Sequence, residues 1–382
     1  MRATTKVCFF LNNLNGGGAE RVVVKLLNEL VDEDIDIELV LSQMTGPYLK
    51  ELNTSIKVVD LNCKSKLLAI FKLSAHLRKT KPNIVFSTIT GANIIALLAK
   101  SISFVDCKSI IREANTPSME DKHLGFKTKI LSKLAKKLYP LADCIVCVSK
   151  DSHADFVGFF TNVDTNKIKV IYNPVVDTEF LEKMQQKPAI TTPWIENPPY
   201  FLGVGRLSEQ KDFHSLIHAF SRVREKHVCK LIILGEGPLR ESHTDEIVKL
   251  ELSQDVWMPG FVENPYPYMR EANAFVLSSR WEGLPNVLIQ ALATGTQIIS
   301  TNCPSGPREI LKDGELGTLV AVGDVSHMAD AMIDSLESPT PFTTKQNAVA
   351  FAQETFNTQF IKMKYLALFR DHSTNKQPRS AS

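Results

Sequence analysis

The 382-residue sequence has no long apolar run, no cysteine framework and no excess of charge of either sign. Each absence closes off a class of function. A membrane-spanning helix needs about 20 consecutive apolar residues, yet the apolar stretch at 94–99 is already stopped by Lys100. The run at 7–11 is far too short for the apolar segment of a secretory signal, and no small-residue cleavage pattern follows it. The expectation is a cytoplasmic protein that touches a membrane without crossing it. The seven cysteines are odd in number and scattered from Cys8 to Cys303, which fits reduced thiols. Cys144 and Cys147 sit in an apolar run with no second pair or histidine cluster to complete a zinc site, so they read as buried structural thiols. A net charge of +2 supplies no field that would favour nucleic acid.

What is present reads as globular. Hydrophobic residues make up 44% and charged residues 23%, and the length suits two cores better than one. Short apolar runs at 7–11, 35–41, 56–61, 84–87, 109–112 and 144–148 alternate with longer helical patterns. Continuous apolar strands separated by helices predict a parallel sheet covered on both faces. The same grammar restarts at 200–204, 230–234, 255–258, 274–278 and 297–300. The fold class is therefore α/β, with two Rossmann-like doubly wound domains. Their expected extents are 1–176 and 200–356, joined by a polar, proline-bearing linker at 177–199. A last helix is expected at 357–370, and the polar tail 371–382 is expected to be disordered.

Three loops carry candidate chemistry. Asn15-Gly16-Gly17-Gly18-Ala19-Glu20-Arg21 follows the first strand and opens a helix, where glycines allow close approach and free N–H groups favour an anion. It is neither a spaced G-x-G-x-x-G nor a phosphate loop ending in Gly-Lys-Ser/Thr, so NAD binding and kinase chemistry are not supported. Gly205-Arg206 and Lys211 follow the first strand of the second domain, where both cations can reach a phosphate. Glu282-Gly283-Leu284-Pro285 leads into an apolar helix, a setting for sugar hydroxyls and phosphate together. Each loop also has a plain reading, as a tight turn, solvated charges or a helix-terminal carboxylate.

Taken together these residues resemble the family 4 retaining glycosyltransferases with the GT-B fold. The resemblance rests on Gly17-Gly18-Ala19-Glu20-Arg21, Ala142-Asp143 through Val148-Ser149, Tyr172-Asn173-Pro174, Gly205-Arg206 with Lys211, Gly235-Glu236-Gly237-Pro238, Gly260-Phe261-Val262 and Glu282-Gly283. It implies an acceptor-binding first domain, a donor-binding second domain and a final helix that returns to the first. It further implies that Arg206 and Lys211 hold the donor diphosphate and stabilise its departure without a metal or other cofactor. No Asp-x-Asp stands at a suitable strand end, which agrees with that. By the same resemblance Glu282 meets the hydroxyls of the transferred sugar, the Gly283 and Leu284 N–H groups the distal phosphate, and Phe261-Val262 the base. Gly17 and Gly18 would face the phosphates from the other domain. The family pattern has a second glutamate where this chain has Gln290, an amide that can still accept a ribose hydroxyl without charge assistance.

Arg112, Glu113 and Asn115 end a strand of the first domain and are the expected acceptor contacts. Residues 122–139 carry six lysines interleaved with Leu124, Phe126, Ile130, Leu131, Leu134 and Leu138, which reads equally as a membrane-surface helix or as a packed helix with a solvated basic face. Similar enzymes with a stretch like Pro304-Ser305-Gly306-Pro307-Arg308-Glu309 build surface polysaccharide on a polyprenyl-diphosphate carrier. The resemblance thus implies a peripheral position on the cytoplasmic face of the inner membrane. The implied reaction is transfer of a hexose or N-acetylhexosamine from a nucleotide sugar, UDP by preference, to a lipid-linked glycan. A non-hydrolysing nucleotide-sugar epimerase is the enzyme alternative, and Gln290 leaves room for a non-catalytic sugar-nucleotide-binding relative.

Overall fold

The computed structural model describes residues 4–15, 17–123, 125–189, 199–338 and 340–373. Among these, thirteen strands form two sheets in which every pairing is parallel. The first contains β1 (Thr5–Leu11), β2 (Ile35–Leu41), β3 (Lys57–Asp60), β4 (Ile84–Thr88), β5 (Lys108–Glu113), β6 (Cys144–Cys147) and β7 (Ile168–Val170), in the order β3-β2-β1-β4-β5-β6-β7. The second contains β8 (Tyr200–Val204), β9 (Lys230–Leu234), β10 (Val256–Gly260), β11 (Ala274–Leu277), β12 (Gln297–Thr301) and β13 (Thr318–Val320), in the order β10-β9-β8-β11-β12-β13. Strand order reverses between β1 and β4 in one sheet and between β8 and β11 in the other. Ligands of open parallel sheets gather at the carboxyl ends of the strands flanking such a reversal.

Side chains alternate across a strand, and β1 shows what this does. Val7, Phe9 and Leu11 enter one core with Phe86 and the helix Gly18–Leu30, while Cys8 and Phe10 enter the opposite core with Val40, Val85, Leu73 and Ile95. Both faces are covered, so the strand is apolar throughout rather than alternating in polarity.

The chain separates into two compact units. The first is Met1–Pro174 together with Thr358–Ser382, and the second is Val175–Asn357. The final helix, Thr358–Ser373, belongs to the first unit because its apolar face completes that core. Phe369 meets Phe9 edge-on at 5.9 Å between ring centroids, and Tyr365 meets Phe86 likewise at 5.9 Å. Burying each such ring stabilises the unit by about 1.5–3 kcal/mol.

The structure corrects the expected linker at its start. Residues 177–189 lie in the second unit, and Thr178–Lys183 is a helix capped by the Asp177 carboxylate, which accepts from Phe180 N at 2.7 Å. Phe180 packs on Tyr266, with centroids 4.6 Å apart. Residues 190–198 of that segment, and 374–382 of the expected tail, lie outside the described residues.

All seven cysteines are buried free thiols. Burial pushes Cys107 and Cys144 up to about 11, which keeps both neutral and unreactive.

Candidate active site

The loops at the carboxyl ends of β8 and β11 are joined by a set of specific contacts. Lys211 Nζ donates to Glu282 Oε1 at 2.5 Å, and Ser279 Oγ donates to the same oxygen at 2.6 Å. Glu282 is 5% exposed and its own N–H donates to Pro304 O at 3.0 Å, which ties it to the loop after β12. The sheet brings these loops together because β8 and β11 are hydrogen-bonded neighbours, pairing Ala274 with Phe201 and Phe275 with Leu202. A cation and a carboxylate 71 residues apart in sequence therefore meet at the reversal point of strand order.

Around this pair the loops are pinned by partners that the sequence did not single out. Gln210 Nε2 donates to Trp281 O at 2.9 Å, Arg280 N to Gln210 O at 2.8 Å, and Ser278 Oγ to Lys211 O at 2.7 Å. Asp212 is buried in the left-handed region at φ 46°, accepts from Ser215 Oγ at 2.9 Å and pairs with Arg280 Nε at 3.0 Å. Asp tolerates that backbone region better than most residues. Its signal in the sequence was only its position, directly after Lys211.

The glycines of the neighbouring loops are required by close backbone approach. Gly235 has φ 145°, and a Cβ there would lie 1.9 Å from Gly205 O. At Gly237 a Cβ would lie 2.3 Å from Leu207 O. Gly205 in turn lets the Lys211 stem pass, with Lys211 Cγ and Cδ each 3.3 Å from a Cβ built at that position. The motif glycines at 205, 235 and 237 thus set the backbone that carries Arg206 and Lys211.

Arg206 is exposed and forms no salt bridge among the described residues. Phe261 is 64% exposed at the carboxyl end of β10, an unusual position for a large ring, and Val262 beside it is half-buried. Gly283 and Leu284 are buried just before the helix Asn286–Ala293. Gln290, half-buried on that helix, donates to Tyr266 Oη at 3.5 Å. The carboxylate-bearing Asp34-Ile35-Asp36 opens β2 at its amino end, away from the carboxyl edge.

In the first unit Gly17 is the N-terminal cap of Gly18–Leu30 and has no side chain to satisfy the helix donors. A Cβ at Gly17 would lie 2.1 Å from Glu20 Oε2, while Gly18 has open space around it. Gly16 lies outside the described residues.

The expected acceptor residues divide. Arg112 and Glu113 are 1% and 3% exposed, so the structure places them inside the unit rather than on an open surface. Arg112 donates to Thr88 Oγ1 at 3.0 Å and to Asn173 Oδ1 at 2.5 Å. Glu113 accepts from Tyr139 Oη at 2.9 Å, and Asn93 links Tyr139 to the Arg112 carbonyl. Burial, reinforced by the nearby Glu120 charge, raises the Glu113 carboxyl to about 8. Every partner here holds the strand ends in place, since buried polar groups must be satisfied. Asn115 is half-buried and donates to Glu120 Oε1. Asp143 is a similar brace, accepting from Lys100, Lys108 and Ser109 N–H and Oγ; Lys100 and Ser109 hold its carboxyl well below the usual range against the opposing effect of burial.

The single basic helix expected at 122–139 is two, Pro117–His123 and Phe126–Leu138, and Leu124 lies outside the described residues. Leu131, Leu134 and Leu138 pack into a core with Tyr139 and Phe156. The face left in solvent carries Lys129, Ile130, Lys133, Lys136 and Lys137. No helix among the described residues is long and apolar enough to cross a membrane.

Comparisons with known proteins agree on one family. Residues 16–179 match the model described as Glycosyltransferase Family 4, and residues 186–354 match Glycosyl transferases group 1. An N-acetylgalactosamine-N,N'-diacetylbacillosaminyl-diphospho-undecaprenol 4-alpha-N-acetylgalactosaminyltransferase of Campylobacter jejuni is 31% identical over 87% of this chain and 90% of its own. An uncharacterized glycosyltransferase of Methanocaldococcus jannaschii is 32% identical over 69% of each chain. Among solved structures, Anabaena HepE in complex with UDP-glucose has a TM-score of 0.79 at 18% identity, covering 96% of this chain and 99% of that one. With two doubly wound units, a final helix that completes the first, and these matches along its length, the chain belongs to the family 4 glycosyltransferases of the GT-B fold.

Proposed function

We propose that the protein is a retaining, metal-independent transferase that moves a hexose or N-acetylhexosamine from a UDP-sugar to a polyprenyl-diphosphate-linked glycan. The observation that carries this reading is the meeting of Lys211 and Glu282 at the carboxyl ends of β8 and β11, with exposed Arg206 on the same loop as Lys211. As a glycosidic bond to a diphosphate breaks, negative charge grows on the leaving oxygens. Fixed cations aimed at that charge lower the barrier without a metal. Glu282 would then turn its carboxylate to sugar hydroxyls, the Gly283 and Leu284 N–H groups would take the distal phosphate, and Phe261 and Val262 would stack against the base. Gln290 would accept a ribose hydroxyl. Gly17 and Gly18 remain proposed phosphate contacts, and Asn115 remains the proposed acceptor contact of its segment.

The nature of the acceptor is supported by the Campylobacter jejuni relative, whose name places its substrate on diphospho-undecaprenol. The Rhizobium meliloti relative LpsE, named a lipopolysaccharide core biosynthesis glycosyltransferase, is 25% identical. The UDP preference is supported by the UDP-glucose complex of Anabaena HepE. An acceptor of that kind would bring the protein to the cytoplasmic leaflet, where the lysine face of Phe126–Leu138 suits anionic headgroups. Retention is proposed to proceed on one face of the sugar, the departing phosphate oxygen taking the acceptor proton.

The test is release of nucleotide from a panel of UDP- and GDP-sugars, with and without membrane lipid extract and with EDTA present. Consumption of one UDP-sugar only when lipid is added, with an α-linked product, is the expected result. A β-linked product from an α-linked donor overturns retention, and activity that is absent in EDTA and restored only by added magnesium or manganese overturns the cationic leaving-group role.

A further inference from the structure

On the helix Phe213–Arg224, His214 and His218 are four residues apart, so one turn carries both imidazoles to the same face. Their ring centroids are 4.3 Å apart. The helix Arg240–Lys249 brings Glu246 against them, with Oε1 2.8 Å from His218 Nε2. One nitrogen of each ring and one carboxylate oxygen lie within 4.8 Å of one another. His218 Nε2 is shielded from solvent and faces the Glu246 carboxylate. His214 is exposed while His218 and Glu246 are half-buried, so the group is open to solvent on one side.

Two neutral imidazoles and a carboxylate are the donor set of borderline-soft dications such as zinc. Metal–ligand bonds of about 2.0–2.2 Å set donor atoms roughly 3.3–3.6 Å apart in a tetrahedral site, so the spread of up to 4.8 Å would narrow while the 2.8 Å contact between His218 and Glu246 would open. The competing cation is Lys249, whose Nζ is 3.4 Å from Glu246 Oε1 on a side chain free to swing into solvent. A second cluster of this composition, Cys8, Glu38 and His76, is less suited. There Lys57 and His76 already occupy both Glu38 oxygens, and burial pushes the Cys8 thiol far from ionisation.

We propose that His214, His218 and Glu246 form a site for a zinc-type transition-metal dication, open at its fourth position, that staples the helix Phe213–Arg224 to Arg240–Lys249. The first of these helices starts two residues after Lys211. An ion there holds the element that anchors the Lys211 loop while taking no part in transfer chemistry. The proposal does not depend on the sugar or the acceptor, so its failure leaves the transferase reading untouched.

Zinc chloride is titrated calorimetrically into EDTA-stripped, re-dialysed protein, for the wild type and for His214→Ala, Glu246→Gln and His76→Ala. The expected result is one ion per chain, with affinity lowered about tenfold or more in His214→Ala and Glu246→Gln, at least the cost of losing an outer-sphere partner, and unchanged in His76→Ala. Zinc should also raise the melting temperature of the wild type more than that of His214→Ala. His214 is exposed, so its alanine variant folds and the comparison is clean. Equal affinity in wild type and His214→Ala, or loss in His76→Ala instead, overturns the assignment.

Discussion

Lys211 Nζ stands 2.5 Å from Glu282 Oε1, and Ser279 Oγ shares that carboxylate oxygen at 2.6 Å. The two charges satisfy one another in a largely buried setting, so under the proposed reaction a donor would exchange this contact for its own phosphate and hydroxyls. The pair is held in place by the loops, at the cost of desolvation that its mutual attraction offsets.

Replacing Lys211 with Ala should abolish measurable transfer, with a fall of at least about 100-fold, the usual scale for losing one group that stabilises developing charge. The protein should still fold, with a lower melting temperature because Glu282 keeps only its other partners. Nucleotide release and circular dichroism melts, read together, check this. A normally folded, active variant would remove Lys211 from the mechanism.

Arg206 makes a contrasting case because it is exposed and in no salt bridge among the described residues. Arg206→Ala should leave stability within about 0.5 kcal/mol of wild type while cutting kcat/KM for the donor by at least about tenfold. Chemical denaturation and initial rates decide between this and a merely solvated charge, for which both quantities would stay fixed.

Gln290 donates to Tyr266 Oη through a long 3.5 Å contact and is half-buried, so the position admits a carboxylate. Gln290→Glu should lower the donor KM, by roughly tenfold at most, since a charged acceptor strengthens one hydrogen bond to a ribose hydroxyl by about 1 kcal/mol. A weaker donor KM in the glutamate variant would show that the amide is the group this site requires.

Glu113 predicts a pH dependence of stability. Its carboxyl is raised from 4.5 to about 8 in the folded protein, by burial first and the Glu120 charge second. The folded state therefore keeps a proton that the unfolded chain has lost between about pH 4.5 and 8. Stability from this group is fully present below about pH 4.5 and declines as pH rises to about 8, by about 1.4 kcal/mol per pH unit. Glu113→Gln should flatten that slope in denaturation measured from pH 5 to 8, and an unchanged slope would place the proton elsewhere.

Much of the architecture was legible before the structure. Continuous apolar strands can only be buried on both faces, and Phe9 and Phe10 entering opposite cores is that rule at work. The edge strands Ile168–Val170 and Thr318–Val320 were not legible, because three residues give no readable pattern. Residues 177–183 read as linker from their polarity, but one cap at Asp177 and one ring at Phe180 fold them into the second unit.

The site divides in the same way. Glycine at 205, 235 and 237 stood out in the sequence because close backbone approach admits no side chain there, and the structure brings the charges at 211 and 282 together. Sequence alone could not tell a charge that faces substrate from one that braces the fold. Nothing in the sequence showed that Thr88, Asn173 and Tyr139 enclose Arg112 and Glu113. The sequence determined which elements form and where backbones must pass without side chains, since those follow from local sterics and hydrophobic pattern. Only the tertiary structure decided which distant residues meet, because strand order in the sheet, and not spacing along the chain, sets the neighbours of each loop.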